Sequence, residues 1–201
     1  MYNNKKISII IPSCAEKNIG IMKVKCRALF PEAQIIIGND VEKRGKGYII
    51  KDSIYKSLHG IIVFIDGDMD IEPRMINRLL PFIDDFDIVV GSKSIGGYPF
   101  RRKLLTWLSR IYIKLLFNLD CDTQTGIKAF KRYKIPEWHI SGFAFDMEVL
   151  AKAKRLGLSM VEVPVEAKST KQKSIGVVWR TLLESLKIWY RLSCQSEKTR
   201  T

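Results

Sequence analysis

The sequence predicts an α/β fold in which a mainly parallel sheet is flanked by helices. Through the first ninety residues, short apolar runs alternate with helix-like stretches, as they do in strand–helix–strand units. Each apolar run ends abruptly at proline, glycine or aspartate, as buried strands of a parallel sheet often do. At 201 residues and 46% hydrophobic, the chain is long enough to bury one domain core.

The elements can be assigned in order along the chain. Strands are predicted at residues 7–11, 34–37, 60–65 and 86–90, separated by helix-like stretches at 16–29, 47–58 and 73–83. Farther along, the pattern predicts helices at 101–118, 143–156 and 176–192 and extended segments at 124–131 and 159–165. Ligands of such sheets bind at the carboxyl ends of the strands, and the third strand ends directly in Asp66.

Positive charge is concentrated in two segments. The net charge is +13, yet residues 93–134 and 167–201 together carry +14 and the other 124 residues sum to −1. This placement favours a localised anionic partner, which could be nucleic acid, anionic lipid headgroups or a phosphorylated substrate. Helices 101–118 and 176–192 lie in these same segments and have wide apolar faces, which suits a position in a membrane interface or packing in the core.

The cysteines and the N-terminus indicate a reducing compartment. Cys14, Cys26, Cys121 and Cys194 are scattered without metal-ligand spacing, so we expect free thiols. The N-terminus has no signal-like pattern, and no stretch is long and apolar enough to span a bilayer. We expect a cytoplasmic protein or one attached to the membrane from the side.

Three short motifs carry candidate chemistry. Asp66, Asp68 and Asp70 follow a buried strand, and such clustered carboxylates suit Mg²⁺ or Mn²⁺, although a lone acidic turn is the alternative. Gly45-Lys46-Gly47 opens a predicted helix and could approach a phosphate, or it could be a plain loop. The basic run 101–103 opposes the dipole of its helix, so it is either a phosphate site or a solvated cluster.

Two later blocks are more specific. Residues 122–130 read DTQTGIKAF, and FDME at 145–148 is followed by VEVP at 161–164. Together with the motifs above, these blocks resemble the family 2 glycosyltransferases with the GT-A (Rossmann-like) fold, closest to the polyprenyl-phosphate (dolichyl-phosphate) sugar synthases. The resemblance covers about residues 6–192 and implies a mixed, mainly parallel sheet with amphipathic membrane-facing helices.

The resemblance also implies roles for single residues. Asp66, Asp68 and Asp70 would bind the metal, with Asp68 also counted as catalytic. Lys93, Arg102 and Thr106 would hold the acceptor phosphate or the leaving group. The donor would contact Pro12, Glu16, Asp40, Lys46, Asp66, Asp122 and Gln124. The chain departs from the family at Cys14-Ala15, at Asn39 and at Lys93, which replaces an arginine and loses its bidentate fork.

The implied reaction is an inverting transfer of a hexose from a nucleotide-sugar, of the UDP-glucose or GDP-mannose type, to a polyprenyl phosphate. We expect it at the cytoplasmic face of the membrane, with a catalytic domain at residues 1–170 and a basic amphipathic tail at 171–201. No nucleic-acid partner is expected, and self-association into a homo-oligomer is left open. The alternatives are a GT-A enzyme with a non-lipid acceptor, a nucleotidyltransferase and a basic nucleic-acid-binding module.

Overall fold

A computed structural model of the chain describes residues 6–13, 18–93, 100–142, 144–168 and 175–198. For residues 100–103, 105, 175–178 and 195–198 it describes the backbone alone. The strands of these ranges form one six-stranded sheet. They are β1 (Ile7–Ser13), β2 (Gln34–Asn39), β3 (Ile61–Ile65), β4 (Ile88–Lys93), β5 (Ile127–Lys131) and β6 (Met160–Val165).

The sheet is mixed and mainly parallel, as predicted. Its strand order is β2-β1-β3-β5-β4-β6. β1 pairs in parallel with β2 and β3, and β4 pairs in parallel with β6. β5 lies antiparallel between β3 and β4. The carboxyl ends of the five parallel strands therefore meet at one edge of the sheet, and β5 begins at that same edge.

Helices cover both faces of the sheet. They are α1 (Ile19–Leu29), α2 (Lys46–Tyr55), α3 (Ile76–Leu79), α4 (Phe100–Phe117), α5 (Phe145–Arg155) and α6 (Ile175–Lys198). α1 and α3 pack on one face, and α2, α4, α5 and α6 pack on the other. Each face of the sheet has its own hydrophobic core. Because side chains alternate along a strand, Ile9 lies in the core beneath α1 and α3, and Ile10 lies in the core on the opposite face.

The prediction of one continuous helix at 73–83 is wrong. The segment is a 3₁₀ turn at Pro73–Met75, the short α3, and a second 3₁₀ turn at Leu80–Ile83. Pro81 has no N–H to donate to the preceding turn, which prevents a continuous α-helix through the segment. The last helix was also underestimated, because α6 continues to Lys198 instead of ending at residue 192.

α6 packs on the same face of the sheet as α2, α4 and α5. Its inward side buries Ser185, Ile188 and Leu192, and the hydroxyl groups of Ser185 and Tyr112 on α4 are 2.8 Å apart. A separate unit beginning at residue 171 stays a prediction. Within the described ranges, no helix is both long enough and apolar enough to cross a membrane.

Candidate functional site

Predicted site residues gather where the parallel strands end. Asp66 directly follows β3, Asp40 directly follows β2, and Lys93 closes β4. The turn at residues 122–126 leads into β5 at the same edge. The side chains of these segments are therefore brought together by the direction of the strands.

Lys46 and Asp66 form an ion pair at the end of β3. Lys46 Nζ is 2.6 Å from Asp66 Oδ1, and the lysine side chain is mostly buried. Burial alone would lower the pKa of Lys46, but the nearby carboxylates of Asp66, Asp146 and Asp68 outweigh it and raise that pKa. Lys46 is therefore fully cationic at neutral pH, beside the acidic triplet.

Gly126 lies in close contact with Asp66. Its carbonyl accepts a hydrogen bond from the Asp66 N–H at 2.8 Å. A Cβ atom at residue 126 would overlap the Asp66 carboxylate. The glycine of the DTQTGIKAF block is therefore required by the position of Asp66.

The rest of the triplet forms a tight turn. Asp68 Oδ1 accepts the Asp70 N–H at 2.9 Å, and Met69 between them has a φ of 63°. A side chain is unfavourable in this left-handed region, and such strain is often found at functional sites. Asp70 in turn pairs with Lys93, whose Nζ is 2.6 Å from Asp70 Oδ2.

The donor set of the triplet fits a divalent cation that is shared with a substrate. Its hard carboxylate oxygens suit Mg²⁺ or Mn²⁺. However, no three acidic, histidine or cysteine side chains of the described residues are grouped so that they could hold a metal by themselves. Asp66 and Asp70 each pair with a lysine instead. This arrangement suits an ion held by one or two carboxylates together with phosphate oxygens.

The glycine-rich turn before α2 is held by the protein itself. The Asp40 carboxylate accepts the N–H groups of Arg44 and Gly45 at 2.7 and 2.9 Å. The Gly47 N–H donates to the Ser141 carbonyl at 2.8 Å. Gly45 has a φ of 101°, which strongly favours glycine. The motif was interpreted either as a phosphate-binding turn or as a plain loop. The packing of the loop explains the two glycines, and the turn places Lys46 beside Asp66.

The 122–126 turn is organised by Asp122. Its carboxylate accepts the Gln124 N–H at 2.9 Å and the Thr125 hydroxyl. Asp122 and Gln124 lie in this turn at the edge of the sheet, and their predicted contact with the donor stays a prediction. The Asp122 side chain is nevertheless engaged in shaping its own turn.

Lys128 binds the backbone of this turn, and the sequence analysis did not predict that role. Its side chain is 2% exposed, and its ammonium donates to the carbonyls of Thr123 and Thr125 at 3.2 and 2.7 Å. Its Nζ also lies 3.2 Å from Asp146 Oδ2 in the first turn of α5. A lysine inside the apolar strand pattern IKAF was the available signal, because buried lysines need partners.

Arg110 is a second residue that sequence reasoning missed. From α4, its Nη2 donates to Ser92 Oγ and to Glu162 Oε1, both at 3.1 Å. Glu162 also accepts the Asp122 N–H at 3.0 Å, so α4, β4, β6 and the turn are joined. Arg110 follows the predicted site residue Thr106 by four positions, which places both on one side of the helix.

Comparisons with known proteins show what the whole chain is similar to. No protein-family profile matches the chain. A dolichyl-phosphate beta-glucosyltransferase from Dictyostelium discoideum is 30% identical over 152 residues, covering 67% of this chain and 46% of the relative. An undecaprenyl-phosphate mannosyltransferase from Micrococcus luteus is 25% identical over 118 residues, covering 53% and 49%. The chain thus spans about half the length of the curated relatives that it matches.

Solved structures agree on the fold. Glucosyl-3-phosphoglycerate synthase from Mycobacterium tuberculosis, in complex with UDP, superposes with a TM-score of 0.68 at 14% identity. The match covers 92% of this chain and 80% of that one. A second structure of that enzyme, with Mn²⁺, UDP-glucose and phosphoglyceric acid, gives the same TM-score at 16% identity. The chain has the GT-A fold, and in sequence it resembles the polyprenyl-phosphate sugar transferases among the family 2 glycosyltransferases.

Not every predicted site residue of this GT-A chain can be placed. Glu16 lies outside the described residues, and Arg102 is described only as part of the α4 backbone. Pro12 lies in β1, where its register partner is Gly38 of β2. Thr106 is half-buried on α4. The roles assigned to these residues stay predictions.

Proposed function

We propose that this glycosyltransferase moves a hexose from a nucleotide-sugar to a polyprenyl phosphate, with inversion at the anomeric carbon. The observation that carries the proposal is the pairing of an acidic triplet with Lys46 and Lys93 at the strand ends of a GT-A sheet. The names of the curated relatives, a dolichyl-phosphate glucosyltransferase and an undecaprenyl-phosphate mannosyltransferase, support the choice of acceptor.

The donor would lie over the edge formed by β1, β2 and β3. Asp40, Pro12 and Glu16 would face the nucleoside, and the Lys46 ammonium would neutralise part of its diphosphate. Asp66, Asp68 and Asp70 are the carboxylates that would hold Mg²⁺ or Mn²⁺. When bound, the cation would offset the negative charge of the departing nucleoside diphosphate.

The acceptor requires little proton chemistry from the chain. A phosphate monoester is already anionic at neutral pH, so it needs no strong general base. Lys93, Arg102 and Thr106 are assigned to hold the acceptor phosphate or the leaving group, while Gln124 and Asp122 lie toward the transferred sugar. Catalysis would then depend on positioning and on stabilisation of developing charge.

A membrane position is the second part of the proposal. On α6, Trp179, Leu183, Leu186 and Tyr190 are exposed and recur at spacings of four, three and four residues. On α4, Leu104, Trp107, Leu108 and Leu115 are exposed. These apolar surfaces lie in the two segments that hold the excess positive charge. We infer that they contact an anionic bilayer, at its cytoplasmic face, where the acceptor lipid would be reached.

A transfer assay tests the activity directly. The purified chain is incubated with radiolabelled UDP-glucose or GDP-mannose, Mn²⁺ or Mg²⁺, and vesicles that contain dolichyl or undecaprenyl phosphate. Label that moves into the organic phase with either lipid supports the proposal. Label that moves only to a soluble phosphorylated acceptor, such as 3-phosphoglycerate, would replace the lipid acceptor, and absence of transfer from both donors would overturn the proposal.

A further inference from the structure

The loop at residues 138–142 lies against the turn that carries Lys46. The Ser141 carbonyl accepts the Gly47 N–H at 2.8 Å, and Trp138 Nε1 donates to the Gly47 carbonyl at 3.2 Å. A Cβ atom on Gly45 would collide with the Ser141 carbonyl, and one on Gly47 with the Ile140 carbonyl. Lys46 is therefore flanked by two glycines that touch this loop.

One side of the loop is held by a buried carboxylate. Glu148 of α5 is 1% exposed, and its Oε2 accepts the N–H groups of His139 and Ile140 at 3.0 and 2.9 Å. Its Oε1 is 3.0 Å from Lys152 Nζ. Two charge-assisted bonds from one carboxylate thus fix the backbone immediately before Ser141.

The other side is held from α6. Glu184 Oε2 accepts the Ala144 N–H at 3.1 Å, at the start of α5. A Cβ atom on Gly142 would collide with Glu184 Oε1, so the carboxylate rests against the backbone there. The same Oε1 also accepts a hydrogen bond from Nε of the exposed Arg180 at 3.3 Å. Ser141 therefore lies between backbone segments that are fixed by two different helices.

We propose that Glu148 and Glu184 are positioning residues that set the Lys46 ammonium for the diphosphate of the donor. They act through the loop, since its carbonyl groups determine where the Gly45–Gly47 turn lies. The inference rests on the proposed function, because it takes a nucleoside diphosphate as the ligand of Lys46. If so, α6 has two roles: its inward residue Glu184 positions the donor site, while its outer face carries the exposed tryptophans.

Calorimetric titration with UDP and with GDP, in the presence of Mn²⁺ and without lipid, tests this inference. Glu184→Ala removes the acceptor for the Ala144 N–H, and we expect it to weaken nucleotide binding about tenfold, the size of one charge-assisted hydrogen bond. Glu184→Gln keeps an amide oxygen for that N–H and should restore most of the affinity. Arg180→Ala is the matched control, because it removes the outer ion pair of Glu184 but not the loop contact.

A double-mutant cycle separates positioning from general destabilisation. If Glu184 acts through Lys46, adding Glu184→Ala to Lys46→Met should weaken nucleotide binding no further than Lys46→Met alone. Additive losses would show a merely structural role and would overturn the inference. Should Glu184→Ala not fold, Gly142→Ala displaces the same carboxylate while keeping it in the chain, and it should also weaken binding.

The outcomes also distinguish the inference from the proposed function. Wild-type protein that binds neither nucleotide would overturn both. Wild-type protein that binds a nucleotide with an affinity unchanged by Glu184→Ala and by Gly142→Ala would overturn the inference alone.

Discussion

The ammonium of Lys46 lies 2.6 Å from the Asp66 carboxylate, although the two residues belong to different motifs and are twenty positions apart. The strand ends bring the glycine-flanked lysine and the first acidic residue of the triplet into one ion pair. A second pair, Lys93 with Asp70, repeats the arrangement on the β4 side. The acidic triplet is thus partly neutralised by lysines that could turn toward a bound diphosphate.

Asp68 is the residue on which metal dependence is tested most cleanly. Asp68→Asn keeps a side-chain oxygen for the Asp70 N–H but removes the negative charge, so we expect normal thermal stability and loss of transfer. Because Asp68 is exposed, Asp68→Ala should also fold and be inactive. The measurements are Mn²⁺-dependent nucleotide binding and sugar transfer, with Asp120→Asn as a surface control. Full activity of Asp68→Asn, or of chelator-treated protein, would contradict the metal assignment.

Arg102 is predicted to act on the acceptor phosphate or the leaving group. Arg102→Ala should therefore lower kcat with polyprenyl phosphate by a larger factor than it weakens nucleotide binding. Steady-state kinetics and calorimetry on the same preparation measure the two effects. Lys114→Ala removes another α4 charge, one that pairs with Asp120, and serves as the control. Unchanged turnover of Arg102→Ala would remove this residue from the mechanism.

Lys128 should be essential for stability. Removing one member of a buried ion pair leaves its partner uncompensated, so Lys128→Met should lower the free energy of unfolding by about 3–5 kcal/mol. Lys131→Met, three residues along the same strand, breaks a more exposed pair with Asp87 and should cost about 0–1 kcal/mol. Urea denaturation of both variants measures the difference. Equal losses would show that burial of Lys128 has little energetic consequence.

Glu148 should make stability depend on acidic pH. Burial would raise the pKa of Glu148, but the N–H groups of His139 and Ile140 and the Lys152 ammonium outweigh it and lower that pKa. A lowered folded-state pKa stabilises the protein above the unfolded value of about 4.3, and this contribution is lost as the pH falls through the folded pKa. The difference in unfolding free energy between wild type and Glu148→Gln should therefore shrink below about pH 4.3. Urea denaturation from pH 2 to 7, with Glu166→Gln as an exposed control, measures it, and a constant difference would refute the idea.

The tail helix should enter a membrane interface. Trp179 is 63% exposed and Trp189 is 43% exposed, so each can report on its surroundings in a single-tryptophan protein. We expect a blue shift on adding anionic vesicles, because the indole would leave water, and binding that salt weakens but does not abolish. The buried Trp138 provides the control, since its emission should not move. If neither exposed tryptophan shifts, this face of α6 is better explained by packing or a dimer contact.

Local patterns were enough to predict the strands and the acidic triplet, although β1, β2 and β4 continue two or three residues past their predicted ends. β1, β3 and β6 are close to their predicted ranges, because runs of buried apolar residues carry their own signal. The interruption of the helix at 80–83 is also a local effect, because Pro81 by itself indicates it. By contrast, the roles of Lys128, Glu148 and Glu184 depend on partners that are distant in the chain or lie within a turn whose form the sequence does not show.

From the sequence alone, the α/β class, the order of the elements and the motifs at the strand ends could be determined, because strand and helix periodicities are local properties. The tertiary structure decided which charges meet. β5 turns back between β3 and β4, and this reversal places Gly126 against Asp66 and Lys128 beside Asp146. Ion pairs and loop contacts depend on distances through space, which strand order and helix packing set and which no short stretch of sequence encodes.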